Sequence, residues 1–475
     1  MIDGDDGLDD RTPVVIGAAE ITHHDGPDFV PISATALMVE AVLAALDGTT
    51  LEPTELGTSV GSVLVPHGTW AESDPGRAVA EAIGAPSARS VRSELGVLQQ
   101  SLLARAASEV ATGIHEVVIV VGGENRWSGV VAGRAGVDVP AAPSVATEST
   151  PDELIEPDGM VIAQVEIERN LTTAAHQYAI IESAIRSLHD RSVGAHQRVL
   201  GELWARFARI AAAAPAGWDR RALGADEIAF ESPTNRLIAA PYPKWLVSQW
   251  NVDQASALVF TTVGFARRHG IDPARWVFPL AMAESNAMIH LTSRAELHAW
   301  PASRLCGQAA LDAAAVDVDE IGPVDLYSCF PAAVEVQAAE LGLSLDRDLT
   351  LTGGMTFGGG PFNNYALQGA AAMVRALRAA DRPTVGLTTA VSGLLTKPGV
   401  ALWSNAAPRA PFAALDVSAE VRRVTDTRPI DADLTGTAVV RGATVVPGRD
   451  GESTTIAIVE SDGRRSVVQS TAAAV

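Results

Sequence analysis

The chain has very little lysine, and it lacks the features that mark several common protein classes. Only Lys244 and Lys397 are lysine among its 35 basic residues, and they face 57 acidic residues, for a net charge of −22. Such a surface repels nucleic acids and anionic membranes, so we expect neither as a partner. No apolar run approaches the roughly 18 residues of a membrane span. The acidic start "MIDGDDGLDD" lacks a signal core, which predicts a cytoplasmic location.

Cysteine is equally scarce. The two cysteines, Cys306 and Cys329, are too few for a disulfide framework, and no cysteine–histidine cluster has the spacing of a zinc site. We therefore predict no metal and no bound cofactor. The strong preference for arginine over lysine, together with abundant alanine, is typical of a GC-rich bacterial genome.

What is present is an alternation of strand and helix signals, which predicts an α/β protein with a mostly parallel sheet. A polar region interrupts the alternation, and short β runs follow at the end. The buried strands are expected at 13–22, 115–124 and 384–395, the amphipathic helices at 33–48 and 98–113, the polar region at 126–245, and a small barrel-like β domain after about 410.

The stretch "GGMTFGGGPFNNYALQG" (353–369) is rich in glycine and leads into a helix. A phosphate-binding P-loop is excluded because no lysine lies near it, and the dinucleotide fingerprint fails because Asn363 stands where its third glycine belongs. Two interpretations remain, a tight turn between buried elements or the wall of a ligand pocket. A second stretch, "GTSVG" (57–61), matches a hydrolase nucleophile elbow, but it lacks the required strand before the serine.

Four stretches, taken in order, resemble the thiolase superfamily: "VATGIHEVVIVVGGE", "VDQASALVFTT", "LYSCFPAAVEVQAAELGL" and "GGMTFGGGP". The resemblance is nearest to the sterol-carrier-protein thiolases and the thiolase-fold aldolases. It implies two βαβαβαββ halves packed in five layers. The expected boundaries are 1–125 with 246–270 for the first half, 126–245 for an inserted loop domain, 271–409 for the second half, and 410–475 for an extra OB-like or Greek-key β domain.

The resemblance also implies an acyltransferase of lipid metabolism that binds coenzyme A as its substrate, yet the catalytic residues of a thiolase are missing. The nucleophilic cysteine falls at Gly96, the loop histidine at Gly360 and the second cysteine at Val391. No cysteine occurs before position 306, so no shift of the match can supply the nucleophile. Thiolase-type acyl transfer needs that thiolate, so we expect no Claisen activity.

Other residues remain candidates for chemistry or binding. By resemblance to the aldolases, Tyr327 and Tyr365 are candidates for proton transfer, and Cys329 is a weaker candidate nucleophile; each is alternatively a buried structural residue. His290 and His298 are candidate displaced bases. Lys244 is a candidate phosphate contact for CoA, with an ordinary place at the solvated surface as the alternative. The predicted ligand-binding residues are Gly353, Gly354, Gly358, Gly359, Gly360, Asn363, Asn364 and Lys244.

Two functions stay open at this level. One is a CoA- or acyl-CoA-binding protein without thiolase chemistry, and the other is an enzyme, either a tyrosine-assisted carbon–carbon lyase or an acyltransferase. Established thiolases pair through the strand before the nucleophile, here "ARSVRSELG" (88–96). Its charged residues oppose pairing between edge strands, so a monomer is slightly favoured over the usual dimer.

Overall fold

The computed structural model describes residues 7–140 and 149–471, except positions 25, 27, 28, 50, 52, 449 and 450. The first half of the core alternates strands with helices, as the sequence predicts. Helix boundaries follow local signals: Ser33 accepts a hydrogen bond from the N–H of Ala36 at 3.2 Å, which caps the first long helix. The elements are β1 (Pro13–Thr22), α1 (Ala34–Leu46), α2 (Pro53–Ser59), β2 (Val60–Pro66), α3 (Pro75–Ala82), β3 (Arg89–Ser93), α4 (Gln99–Ala111), β4 (Val117–Asn125) and α5 (Arg126–Ala135).

An inserted segment follows, and the chain then returns to the first sheet. The insertion is mainly helical, with one short strand that pairs outside it. Its elements are β5 (Glu153–Ile155), α6 (Gln164–Glu168), α7 (Ala174–Leu188), α8 (Val193–Ala213), α9 (Ala225–Ala229), β6 (Leu237–Ala239) and β7 (Tyr242–Pro243). The return strand is β8 (Asp253–Thr262), followed by α10 (Val263–Arg268).

The second half repeats the pattern with one difference. Its elements are β9 (Phe278–Glu284), α11 (Pro301–Ala314), β10 (Ile321–Asp325), α12 (Pro331–Leu341), α13 (Tyr365–Arg378), β11 (Val385–Ser392), β12 (Lys397–Ser404), β13 (Ala413–Asp416) and α14 (Ser418–Val424). Between α12 and α13, where the first half has β3, the chain forms the glycine-rich loop with a π-helical turn over Gly354–Gly358. The second half therefore lacks one strand of the expected repeat.

The two halves stack in the five layers expected from the sequence. The first sheet has the order β1-β8-β4-β2-β3-β5, and the second has β10-β11-β12-β9-β13. Helix α1 packs on the outer face of the first sheet and α11 on that of the second, while α4 and α13 lie between the sheets. That middle layer is apolar: Leu102 and Met373 share one buried cluster with Val118 and Ala401. Burial of these faces is the main stabilising contribution to the core.

Strand β5 occupies the outer edge of the first sheet. It runs parallel to β3, with Val91 opposite Glu153 and Ser93 opposite Ile155. Arg105 of α4 forms an ion pair with the same Glu153 at 2.5 Å. The insertion therefore covers the edge of β3 with a strand of the same chain.

The C-terminal unit is all-β, as predicted, but its described strands do not close into a barrel. Strands β14 (Val439–Pro447), β15 (Ser453–Ser461) and β16 (Arg464–Ser470) form an open antiparallel sheet of three. Three strands are too few to close a barrel, and one face of the sheet is instead buried against α7 of the insertion. Strand β13, by contrast, extends the second sheet of the core.

Candidate functional site

The corner where α4 begins lacks a nucleophilic side chain. Strand β3 ends at Ser93, and the short connection to α4 contains Gly96, whose φ of 100° lies in the left-handed region. Leu98, which precedes the helix, has an apolar side chain and cannot cap the first N–H groups of α4. This corner therefore presents the partially positive end of a 13-residue helix beside a residue without a side chain.

A buried lysine faces the same corner. Lys397, at the start of β12, is only 1% exposed, and its Nζ donates a hydrogen bond to the carbonyl oxygen of Gly96 at 3.2 Å. Burial lowers the pKa of this amine, and the nearby Asp158 and Glu284 partly offset that effect. The burial of Lys397 follows from its place on β12, which is an interior strand of the second sheet.

Glu284 is a second titratable group that the sequence did not single out. Its carboxylate accepts hydrogen bonds from Ser101 at 2.7 Å and from Asn286 at 3.1 Å. Burial raises its pKa above the ordinary value. Val391, at the position of the second thiolase cysteine, is 5% exposed and has no group for proton transfer. The corner thus combines a helix N-terminus, an ammonium group and a carboxyl group, which can hold a carbonyl or carboxylate oxygen but contain no thiol.

Tyr365 is a structural residue rather than a reachable base. Its hydroxyl lies 3.0 Å from Ser328 Oγ, 2.9 Å from Thr352 Oγ1 and 3.2 Å from Asp325 Oδ1, and its side chain is fully buried. Burial raises its pKa well above 10, and the charge of Asp325 raises it further. A catalytic base needs the opposite shift, so the predicted proton-transfer role of Tyr365 is not supported by its surroundings.

Tyr327 is half-buried and packs edge-on against Tyr365, with ring centroids 5.7 Å apart. Burial also raises the pKa of Tyr327 above 10, so at neutral pH its hydroxyl is a proton donor and not a base. Cys329 is 6% exposed, and burial raises the pKa of its thiol to about 12. Such a thiol is almost entirely protonated at neutral pH, which argues against its candidate role as nucleophile.

The glycine loop is filled by protein where a ligand was expected. A side chain at Gly353 would overlap Ala211 of α8, and one at Gly354 would overlap Phe207 of the same helix. A side chain at Gly359 would overlap Gln254. A Cβ atom added at Gly358 would overlap the carbonyl of Thr352. A Cβ atom added at Gly360 would lie 3.1 Å from the carbonyl oxygen of Met355. These glycines therefore permit close packing of the insertion on the core, which is the tight-turn interpretation of the sequence.

Asn363 and Asn364 also have partners inside the protein. Asn363 donates to the carbonyl of His67 at 2.8 Å and accepts from Gln99 at 2.9 Å. The Nδ2 of Asn364 lies 3.4 Å from Ser256 Oγ, at the limit of a hydrogen bond. In the first turn of α13, the N–H of Ala366 donates a hydrogen bond to Gln99 Oε1 at 2.8 Å. Most of the predicted binding groups at the start of α13 therefore have partners within the protein, whereas Asn364 Oδ1 is buried without a hydrogen-bond partner among the described residues.

The remaining predicted residues lie outside the corner just described. The ammonium of Lys244 sits 4.2 Å above the ring of Trp245, a cation–π contact. His290 is hydrogen-bonded to the carbonyl of Met160 at 2.9 Å, and His298 lies 3.6 Å from Glu296. "GTSVG" has the reverse order of a nucleophile elbow, because Ser59 ends α2 and a strand follows it.

A shallow depression on the insertion carries exposed positive charge. It is lined by His24, Trp218, Asp219, Arg220 and Arg221. Arg220 donates a hydrogen bond to the carbonyl of Pro215 at 2.9 Å, and part of its guanidinium group faces solvent. Arg221 instead forms an ion pair with Asp219 at 2.6 Å. The backbone N–H of Trp218 donates to Gly358, so the depression adjoins the outer side of the glycine loop.

Lys397, Glu284 and the depression were missed by the sequence reasoning. Only Lys397 left a signal that could have been used, since it is one of two lysines in an arginine-rich chain. Within the described ranges, no helix has both the length and the apolar character to cross a bilayer.

No protein-family model and no curated protein sequence matches this chain. Solved structures do match. A monomeric SCP2-thiolase-like protein type 1 from Mycobacterium smegmatis is similar with a TM-score of 0.79 at 27% identity, over 97% of this chain and 92% of that chain. The Ltp2-ChsH2(DUF35) aldolase has a TM-score of 0.60 at 23% identity, over 83% of this chain and 98% of that one.

The dimeric peroxisomal thiolase of Saccharomyces cerevisiae is similar with a TM-score of 0.58 at 12% identity, over 83% of this chain and 98% of that chain. At such low identity the yeast enzyme and the aldolase support the fold alone. The match to the mycobacterial protein extends over nearly the whole length of both chains. The chain belongs to the thiolase superfamily.

Proposed function

We propose that the protein binds CoA thioesters of lipid or sterol metabolism and does not carry out thiolase chemistry on them. The observation that carries the proposal is the corner at α4, where Gly96 replaces the nucleophile and Lys397 supplies a buried cation. A thioester or carboxylate oxygen is favoured there by the helix end and by the ammonium group. Binding is retained while the covalent step is lost.

Acyl transfer in a thiolase needs a thiolate at the acyl carbon. Gly96 offers none, and Lys397 is a poor substitute because its amine is hydrogen-bonded to a carbonyl and closely packed. Cys329 is held as a neutral thiol with a pKa of about 12. We therefore expect thioester ligands to dissociate from the protein chemically unchanged.

The phosphate groups of CoA need a positive site on a chain of net charge −22. We assign this role to the depression of Trp218, Arg220 and Arg221. An indole ring can stack on the adenine, and guanidinium groups bind phosphate oxygens in a bidentate manner. Lys244, the sequence candidate for this contact, shares the ring of Trp245 with Arg221 and so lies close to the same region.

Calorimetric titration with CoA, acetyl-CoA and a medium-chain acyl-CoA tests the proposal, with product analysis of each mixture. Arg220→Ala should weaken binding of all three ligands by about tenfold, the worth of one charge-assisted contact. Arg198→Ala is the matched control, because Arg198 is an exposed arginine elsewhere on the insertion. Lys397→Met should weaken the thioesters more than free CoA. Absence of binding by the wild-type protein would refute the proposal.

A second function, an acyl-CoA carbon–carbon lyase, is favoured by one observation. Tyr327 keeps a neutral, half-buried hydroxyl that can donate a proton to an enolate formed by retro-aldol cleavage. The thiolase-fold neighbour described as an aldolase makes this reaction class a reasonable alternative. Tyr327→Phe should leave thioester affinity within about twofold under either function, and should abolish product formation only under the lyase function.

A further inference from the structure

Three buried residues with metal-ligating side chains meet where the insertion contacts the second half of the core. Glu182 of α7, His196 of α8 and Glu335 of α12 are 0%, 1% and 6% exposed. The Nε2 of His196 lies 2.8 Å from Glu182 Oε1, and one ligand atom from each residue lies within 4.8 Å of the other two. Three separate helices thus direct one imidazole and two carboxyl groups to a single point.

The cluster leaves a polar atom unmatched. Glu335 Oε2 is buried and has no hydrogen-bond partner among the described residues. The other carboxyl is better supported, since Tyr242 donates to Glu182 Oε2 at 2.7 Å. Buried carboxylates are normally paired with a cation or a proton donor, so the buried, unpartnered Oε2 of Glu335 points to a missing positive group.

A cavity gives access to this point. Its volume is about 540 Å³, and its wall includes Glu182 and His196 together with apolar side chains such as Phe230 and Val445. It lies between the insertion and strand β14 of the C-terminal sheet. An ion can enter through it, and a water molecule or a further ligand in the cavity can complete the coordination.

We propose that Glu182, His196 and Glu335 bind one divalent transition-metal ion, of which Zn²⁺ is the best fit. Zinc takes imidazole nitrogen and carboxylate oxygen at about 2.0–2.2 Å, which places ligand atoms roughly 3.4 Å apart in a tetrahedron. The observed atoms need shifts of about 1 Å to reach that arrangement. Two carboxylates also balance the charge of the ion. The sequence shows no zinc spacing, because the three ligands lie on three different helices and Glu335 is far along the chain from Glu182 and His196.

Binding fixes the protonation of the cluster. The neutral imidazole must carry its proton on Nδ1, so that Nε2 can coordinate, and Arg191 Nη1 must leave its 3.5 Å contact with Nδ1. Any proton held between the two carboxyl groups is released to solvent. Arg186, which lines the cavity wall, remains at its hydrogen bond to the carbonyl of Arg191.

The test uses the full chain, freed of metal with a chelator and titrated calorimetrically with zinc chloride in the presence of a weak competing chelator. The wild-type protein should bind one ion per chain, and Co²⁺ in its place should give the visible absorption of a low-coordinate site. Glu335→Gln and His196→Gln should each weaken binding more than about 100-fold, since losing an outer-sphere partner alone costs 10–100-fold.

The matched control is His23→Gln, because His23 forms an exposed pair with Glu40 at 2.7 Å and should not affect the site. Circular dichroism checks that each variant is folded. Glu335→Gln keeps the shape of the side chain and adds a donor for Glu182, so it decides the matter if His196→Gln does not fold. Failure of the wild-type protein to bind stoichiometric zinc, or unchanged affinity in Glu335→Gln, would overturn the proposal. It is independent of CoA binding.

Discussion

The glycine at position 359 provides the sharpest test of how the insertion is held on the core. A methyl group there would overlap the side chain of Gln254, which is 1% exposed on β8. The Nε2 of Gln254 lies 2.8 Å from the carbonyl oxygen of Gly358, 3.1 Å from that of Ala216 and 3.1 Å from Thr22 Oγ1. One amide thus links the glycine loop, the insertion and β1.

The expected cost of Gly359→Ala has two parts. The backbone of Gly359, with φ 103° and ψ 144°, is in a conformation that is nearly restricted to glycine and costs another residue about 1–3 kcal/mol. Displacing Gln254 removes up to two hydrogen bonds, since its NH₂ group has two hydrogens, at about 1 kcal/mol each. The total is about 3–5 kcal/mol. Gly113→Ala is the matched control, because Gly113 has a φ of 75° and no atom within 4 Å of the added methyl group.

Denaturant unfolding followed by circular dichroism measures both variants. We expect Gly359→Ala to be less stable than Gly113→Ala by at least about 2 kcal/mol, the hydrogen-bond part of the estimate. Equal losses would show that Gln254 can move without cost and that space beside the loop is available. In that case the ligand-pocket interpretation of the glycine loop would regain support.

Three further predictions follow from burial and pairing. Cys329, with its pKa raised to about 12 by burial, should resist iodoacetamide in the folded protein at pH 8 and react once unfolded; rapid native labelling would contradict the neutral-thiol assignment. Light scattering at low micromolar concentration should show a monomer, because β5 already covers the edge of β3, and a stable dimer would count against that role of β5. Burial raises the pKa of Glu124 from 4.5 to about 7, so the folded state binds this proton more tightly than the unfolded state does. The protonated carboxyl therefore contributes stability that is complete below pH 4.5 and is lost as the pH rises through 7. The melting temperature of Glu124→Gln should therefore fall less than that of the wild type between pH 5 and pH 8, and parallel curves would refute the assignment.

Local patterns in the sequence were sufficient for the core elements. The strand expected at 13–22 is β1 with the same limits, and the helix expected at 33–48 is α1 within two residues at each end. Both rest on signals from neighbouring residues: continuous apolar runs, the cap at Ser33 and the glycine at 48. The order of motifs then predicted the five-layer arrangement.

Long-range proximity was beyond such patterns. The glycine-rich loop indicated that another group packs closely against its backbone. The sequence could not show that this group is helix α8 and not a ligand. The burial of Lys397 could not be predicted from the sequence, because it depends on how β12 packs within the second sheet. The cluster of Glu182, His196 and Glu335 joins three helices, and the sequence holds no local periodicity that would bring them together.

The attachment of the C-terminal sheet to the insertion imposes an order on folding during synthesis. Ser183 accepts the N–H of Ala443, 260 residues later, and the N–H of Ala240 donates to Val445. Ribosomes add about 5–20 residues per second, so roughly 13–52 seconds pass between the two partners of the first contact. Until β14 emerges, the face of α7 around Ile180 has no cover. A chain that stops before residue 439 lacks the strand that covers this apolar face, and we expect it to be bound by chaperones and cleaved by proteases more readily than the complete chain.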